Sequence, residues 1–476
     1  MHQWFAGMTI QEEKNSRKHS FRGVCGAVIT IVASCLFTRL WLSFIQTHNQ
    51  TGHLLGKANV LMMLGIYTAL MVWLIHSNGG FRIGVDRKMN LLASQVTGII
   101  TANILSVFMS MAVTGQFRFI FLLLREYICI SLLQCILICP LTILMVDLYR
   151  RIFPPLRLLV IQGDYDNDLT WKLNGRPDKY QVVFSLGYQQ VEKNPEIIRD
   201  YDAVVLNDLP SASRNHILKR CFEWDRRVYY PPKISDIIVK SADNLNIFDT
   251  PLLLNRNAGM SRRQQIQKRV FDIVFSLIVL VLTSPLMAVI AAAIHLEDGG
   301  PVFFTQDRIT VKGRHFRIIK FRSMVTDSEK DGAPRPAGMN DKRVTRVGRF
   351  IRRTRIDELP QIFNILKGEM SVVGPRPERW EHVELYEKTV PEFVYRHKVK
   401  GGLTGYAQVY GKYNTSALDK LKLDLTYILN YSFILDIQIL FETLRVLIQR
   451  DSTEGFASTE IELIHDTAIR KKEGGT

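Results

Sequence analysis

Hydrophobic positions gather into long blocks before residue 150 and thin out afterwards. Four apolar stretches run roughly over 21–45, 54–75, 91–113 and 127–147. Each approaches or exceeds the ~20 residues that a helix needs to cross a bilayer. The pattern predicts a four-span α-helical bundle over 1–151. The third stretch carries no charge, and Arg39 sits toward the far end of the first, where its side chain can snorkel. Arg125 and Glu126 mark the edge of the fourth. Buried core helices are the competing reading.

The loops give an orientation. Lys14, Arg17, Lys18 and Arg22 lie before or at the very start of the first stretch, Arg82, Arg87 and Lys88 lie between the second and third, and Arg150 and Arg151 follow the fourth. The 46–53 loop has no Lys or Arg. Basic loops mark the cytoplasmic side, so both ends of the bundle are expected there.

The pattern then shortens. LRLLVIQG (156–163), DAVVLND (202–208) and RVYYPP (227–232) read as strands, and 213–224 reads as an amphipathic helix. Alternation of this kind predicts a Rossmann-like α/β module with a parallel sheet over 156–255. A dinucleotide site would carry G-x-G-x-x-G after the first strand. The turn here is Gly163-Asp164-Tyr165-Asp166, whose acids repel a pyrophosphate. A regulatory or dimer-forming role is expected instead.

A fifth apolar run covers 273–296 and is broken at Ser284-Pro285. Proline removes a backbone donor and kinks a helix. Arg262, Arg263, Lys268 and Arg269 precede the run; Arg308, Lys312, Arg314, Arg317, Lys320 and Arg322 follow it. Basic flanks on both sides conflict with a crossing. They predict a helix–break–helix hairpin at 270–296 that enters one leaflet and returns. A kinked fifth span is the alternative.

Composition narrows the class. Of 476 residues, 47 % are hydrophobic, the formal charge is +16, and mean hydropathy is slightly positive. Disordered and fibrous chains are excluded. The six cysteines show no C-x-x-C spacing, so a zinc site or redox pair is not expected. The first apolar run follows about twenty polar residues and is too long for a cleavable signal peptide.

The chemistry concentrates at 342–377, KRVTRVGRFIRRTRIDELPQIFNILKGEMSVVGPRP. Seven of the fourteen residues from Lys342 to Arg355 are basic, and Asp357-Glu358 follow. Arg349, Arg352 and Arg353 share one helical face. A solvated or lipid-facing basic surface would explain the run but not the adjacent acids. Leu359, Ile362, Phe363 and Leu366 mark a second helix that stops at Gly368. Thr354 with Asp357 has capping-box spacing, and Pro360 fits the first turn. The helix end and the arginines both favour ionised carboxylates. An ionised Asp is a nucleophile toward phosphorus, and a neighbouring carboxylate can hold Mg²⁺. A cap at Asp357 and an ion pair at Glu358 are the structural alternatives.

VFDIVFSL with Ser284-Pro285, GPVFFTQDRI (300–309), KFRSM (320–324), the 346–377 block and KGGLTGYAQVYGK (400–412) occur in this order over about 262–450. Together they resemble the bacterial sugar transferases, the monotopic polyprenyl-phosphate glycosyl-1-phosphate transferases. With four spans and a Rossmann-like module, the chain is similar to the large members, the undecaprenyl-phosphate hexose phosphotransferases that begin exopolysaccharide, capsule or O-antigen repeats.

The resemblance implies a mainly α catalytic domain at 262–450 on the cytoplasmic face of the bacterial inner membrane. Its hairpin is re-entrant and is marked structurally by Ser284 and Pro285. Asp357 would attack the β-phosphate of a UDP-sugar, UMP would leave, and undecaprenyl phosphate would take the phosphosugar. Glu358 matches the Mg²⁺ ligand. Lys320, Arg322, Arg349, Arg352, Arg376, Thr404 and Gln408 are the substrate-binding candidates, with Pro375 and Pro377 stiffening the loop around Arg376. A homodimer and contact with membrane lipids are expected, and no nucleic acid.

Two positions depart from the family pattern. Arg355 stands where Ser or Thr is usual, with Thr354 one place earlier, and Lys400-Gly401-Gly402 replaces Lys-Pro-Gly. Residues 426–450 read as a helix with an apolar face, and 451–476 as a polar tail. Two other classes remain open from the residues alone. One is a membrane-tethered binder of anionic lipid or nucleic acid, although no nucleic-acid motif is present. The other is a polysaccharide regulator without catalysis.

Overall fold

The computed structural model describes residues 2–48, 56–114, 120–163, 167, 169–256, 259–326, 341, 343–411 and 415–448. The tail expected at 451–476 lies outside the described residues. The protein is mostly helical with small sheets, and divides into two compact units, Met1–Pro231 and Pro232–Thr476. Five helices are long and apolar enough to cross a membrane: Asn15–Thr47, Lys57–Ser77, Lys88–Met111, Ile120–Ile152 and Arg262–Asp298. The protein is membrane-associated.

In the first unit, helices α1 (His2–His48), α2 (Lys57–Ser77), α3 (Lys88–Thr114) and α4 (Ile120–Ile152) pack on one another. Their outward faces are apolar: Phe108, Phe121, Ile128, Ile136 and Leu144 are all exposed. Inside, one polar node joins all four helices. Gln134 Nε2 donates to the α1 carbonyl of Ala33 (2.9 Å) and to Tyr67 OH on α2 (2.8 Å), while Asn103 Nδ2 on α3 donates to Gln134 Oε1 (2.8 Å). Polar side chains hold helices together where surrounding hydrocarbon offers no hydrophobic drive.

The same unit continues with β1 (Leu156–Gln162), α5 (Leu169–Asn174), β2 (Tyr180–Gly187), α6 (Tyr188–Lys193), β3 (Ala203–Asn207), α7 (Ser211–Glu223) and β4 (Arg227–Tyr229). The sheet is parallel, in the order β2-β1-β3-β4. Gly163 serves packing: a Cβ there would lie 2.0 Å from the carbonyl oxygen of Asp208.

The second unit comprises α8 (Ile234–Lys240), a hairpin of β5 (Asp243–Ile247) and β6 (Thr250–Leu254), then α9 (Arg262–Asp298) and an antiparallel pair, β7 (Phe303–Ile309) and β8 (His315–Phe321). It continues with α10 (Arg346–Arg353), α11 (Gln361–Lys367), β9 (Ser371–Val373), α12 (Trp380–Thr389), β10 (Gly402–Thr404), α13 (Tyr406–Tyr410), α14 (Ala417–Leu429) and α15 (Phe433–Ile448). Strands β9 and β10 pair in parallel. Ile237 of α8 packs with Val383, Phe393, Leu421 and Leu425, so residues 234–240 belong to this unit.

Where a break was expected at Ser284-Pro285, α9 remains helical throughout. Pro285 cannot donate to the carbonyl of Val281, but Ser284 Oγ does, at 3.0 Å. The side chain supplies the missing bond, so the backbone need not unwind. Both flanks of the helix are tied to the rest of the unit. Asp272 Oδ1 accepts from Ser371 Oγ and Val372 N of β9, each at 2.9 Å. At the other end Glu297 accepts from the backbone of Arg346 (2.8 Å) and Val347 (3.3 Å) at the start of α10, and Asp298 pairs with Arg322. Between these anchors Val281, Leu282 and Val289 are exposed.

Candidate active site

The dyad lies between two short helices. Thr345 caps α10 through Gly348 N (2.9 Å), and α10 ends at Thr354. Thr354 Oγ1 donates back to the carbonyl of Phe350 (2.9 Å), so it is not the cap that its spacing suggested. Arg355 then turns left-handed (φ 58°) and sends the chain into a single 3₁₀ turn, Ile356–Glu358. Helix α11 begins only at Gln361. The acids therefore precede the helix instead of opening it.

Glu358 is the hub. Its Oε1 accepts from Lys320 Nζ and from Arg376 Nη2, both at 2.9 Å. Burial opposes its charge, but the two cations outweigh that cost and hold the carboxyl far below its ordinary value. Lys320 comes from β8 and Arg376 from the Gly374–Pro377 loop that follows β9. The charge of Glu358 raises the affinity of Arg376 for its proton. Burial draws the Lys320 ammonium down, with Arg376 adding to it.

Asp357 behaves differently. Its Oδ1 is buried and has no hydrogen-bond partner among the described residues. Burial, and next the charge of Glu358, push its carboxyl above the ordinary range, against Lys320, Arg355 and Arg352. The expectation of two depressed carboxylates thus holds for Glu358 and fails for Asp357. Desolvation wins where no donor reaches the oxygen.

The Arg376 loop is held from behind by residues that sequence reasoning did not single out as a group. Arg396 Nη2 donates to the carbonyl of Arg376 (2.9 Å) and pairs with buried Asp424 (2.8 Å). Lys420 pairs with Glu378 at 2.9 Å, which brings that carboxyl, despite its burial, down to about 2. Arg308 Nη1 donates to the carbonyl of Pro377 (3.1 Å), and burial pushes this guanidinium down to about 10. Pro375 O accepts from Gly402 N at 2.9 Å, and Pro377 packs on Gly401. A Cβ on Gly402 would lie 2.1 Å from the nitrogen of Gly374. These glycines let two backbones touch. Signals for the buried ion pairs were absent because the partners lie far apart in sequence.

The other candidates divide. Arg352 is half-buried and acts electrostatically on Asp357, whereas Arg349 is exposed. Arg322, two residues beyond Lys320, is engaged by Asp298. Thr404 Oγ1 meets Thr443 Oγ1 at 2.6 Å, and Gln408 Nε2 donates to the carbonyl of Leu403 at 3.1 Å. Gln408 Oε1 is buried without a partner among the described residues. Lys320, Arg376, Glu358 and Asp357 are brought together; Arg322 and Thr404 are engaged elsewhere.

Comparison with known proteins decides the family. The model of the Bacterial sugar transferase family matches residues 263–450. A 205-residue stretch is 39 % identical to the uncharacterized sugar transferase EpsL of Bacillus subtilis, covering 43 % of this chain and 95 % of that protein. The chain belongs to the bacterial sugar transferase family. This sugar transferase is 38 % identical over 312 residues to the UDP-N-acetylgalactosamine-undecaprenyl-phosphate N-acetylgalactosaminephosphotransferase of Aeromonas hydrophila, covering 63 % of this chain and 68 % of that one. It is 43 % identical over 202 residues to the UDP-glucose:undecaprenyl-phosphate glucose-1-phosphate transferase of Escherichia coli K12, covering 41 % and 42 %. The match thus spans two thirds of one such relative and less than half of the other.

Proposed function

We propose that this sugar transferase moves a sugar 1-phosphate from a UDP-sugar to undecaprenyl phosphate, releasing UMP, and so begins exopolysaccharide, capsule or O-antigen repeats. The observation that carries the reading is the unpartnered, desolvated Asp357 oxygen beside a Glu358 clamped between Lys320 and Arg376.

In the first step an oxygen of Asp357 attacks the β-phosphorus. The new O–P bond forms as the bond to the bridging oxygen breaks, and UMP departs with that oxygen. In the second step a phosphate oxygen of undecaprenyl phosphate attacks the same phosphorus and frees Asp357. Phosphoryl transfer of this kind rests on positioning and charge neutralisation. Arg376 and Lys320 supply positive charge, and Arg352 adds to it. Desolvation makes Asp357 more basic than an ordinary aspartate, hence a stronger nucleophile once ionised.

The dyad fits Mg²⁺. This ion accepts one or two carboxylates and fills its remaining positions with phosphate oxygens and water. Glu358, with the open oxygen of Asp357, would hold the ion, which when bound offsets charge on the diphosphate.

The two anchored ends of α9 support a re-entrant placement. A helix crossing ~30 Å of hydrocarbon would carry its ends to opposite faces. Here Asp272 and Glu297 bind the starts of β9 and α10, and the dyad lies between them in sequence. With the basic flanks, this favours a site on the cytoplasmic face of the bacterial inner membrane, where a lipid phosphate and a nucleotide sugar can meet. The first unit then reads as four membrane spans followed by a Rossmann-like module that offers a dimerisation or regulatory surface. UMP release, screened over UDP-sugars with undecaprenyl phosphate, tests the reading. Release with at least one sugar, lost in Asp357→Asn, is expected; no release from any sugar contradicts it.

A further inference from the structure

Helix α10 has two distinct faces. Gly348 and Ile351 are buried, and Ile351 packs with Met287, Ile290 and Ile294 of α9. A Cβ on Gly348 would lie 2.0 Å from the carbonyl oxygen of Ser323, so this face is in tight contact. Opposite it, Arg346, Arg349, Phe350 and Arg353 are exposed, Phe350 by 59 %. At 3.6 residues per turn these four fall within an arc of about 100°. None of the three arginines pairs with a carboxylate among the described residues.

We propose that this face is a docking surface for anionic phospholipid headgroups. The inference rests on the re-entrant reading of α9. Glu297, near the polar end of that helix, accepts two backbone hydrogen bonds from the first residues of α10. The start of α10 is thereby held where α9 emerges from the leaflet. An arginine fork grips phosphate oxygens in pairs, and cationic side chains are drawn to an anionic surface. A merely solvated basic face leaves Phe350 unexplained; an aromatic ring amid arginines suits the boundary between headgroup and acyl chain. Arg352, outside this arc, faces the dyad electrostatically, so the helix divides its arginines between site and membrane. Arg349 falls to the membrane side.

The test uses the full chain in nanodiscs containing phosphatidylglycerol with a photo-crosslinker beside its headgroup. Cross-links are expected within residues 346–353, at least about fivefold above those from the matching phosphatidylcholine probe. Replacing Arg346, Arg349 and Arg353 together by Gln lowers capture at least about tenfold, while replacing all three by Lys keeps more than about half. Excess inorganic phosphate leaves capture unchanged. Equal capture from both lipids, capture indifferent to the Gln substitutions, or loss to free phosphate overturns the proposal. UMP release on the same discs separates the two readings. Turnover without cross-links at α10 defeats the lipid surface alone; cross-links without turnover from any UDP-sugar defeat the catalytic reading alone.

Discussion

Arg376 Nη2 donates to Glu358 Oε1 at 2.9 Å, although the two residues come from separate loops. Lys320 shares the same oxygen at the same distance. Glu358 therefore sets the position of both cations that would face the diphosphate. Glu358→Gln removes the shared charge and leaves two cations to repel each other. We expect kcat to fall on the order of 10²-fold, with a higher Mg²⁺ requirement. Steady-state UMP release across a Mg²⁺ series checks this.

The acid limb of activity should report Asp357. Its carboxyl is raised by burial and by Glu358, and in the proposed mechanism it loses its proton before it attacks. The rate of UMP release then rises with pH through a value above the ordinary 3.8. Arg352 lowers this value, so Arg352→Gln should move the limb to higher pH, which a single-turnover pH profile would show. A shift to lower pH would contradict the placement of Arg352.

Gly402→Ala should disable the enzyme without touching a charged residue. The added methyl would lie 2.1 Å from the nitrogen of Gly374, and the Arg376 loop must move to admit it. A change of even 1 Å in a positioning loop can cost about 10²-fold in rate. We expect kcat to fall by about that factor, measured in purified protein whose thermal midpoint shows that it is folded.

Asp272 ties the long apolar helix α9 to β9, the strand leading into the Arg376 loop. Asp272→Ala would leave Ser371 and the backbone N–H of Val372 unpaired, at a cost of about 1–3 kcal/mol for each buried group. A lower thermal midpoint in detergent, with reduced kcat, is the expected result.

Long-range sequence pattern made the five apolar helices legible, because each repeats one physical demand over many residues. Strands β1, β3 and β4 and the stop at Gly368 were legible for similar local reasons: the C-cap there has φ 86°, which glycine adopts freely. Strand β2 was not foreseen; several of its apolar positions are exposed or only partly buried, which blurs the signal. Thr354 misled because a hydroxyl can bond backward as readily as cap forward. The helical continuity at Pro285 was hidden because the rescue comes from the Ser284 side chain. The residues behind Arg376 gave no local sign, since Arg396 meets Asp424 only after folding.

Mass spectrometry of the Asp357 peptide tests the central claim most directly. The chain is mixed with a UDP-sugar that supports UMP release, undecaprenyl phosphate is withheld, and the reaction is quenched. The account predicts a sugar-phosphate adduct on Asp357, matched by UMP release up to one equivalent and discharged when the acceptor is added. UMP release that requires the acceptor, with no adduct on Asp357, would contradict it.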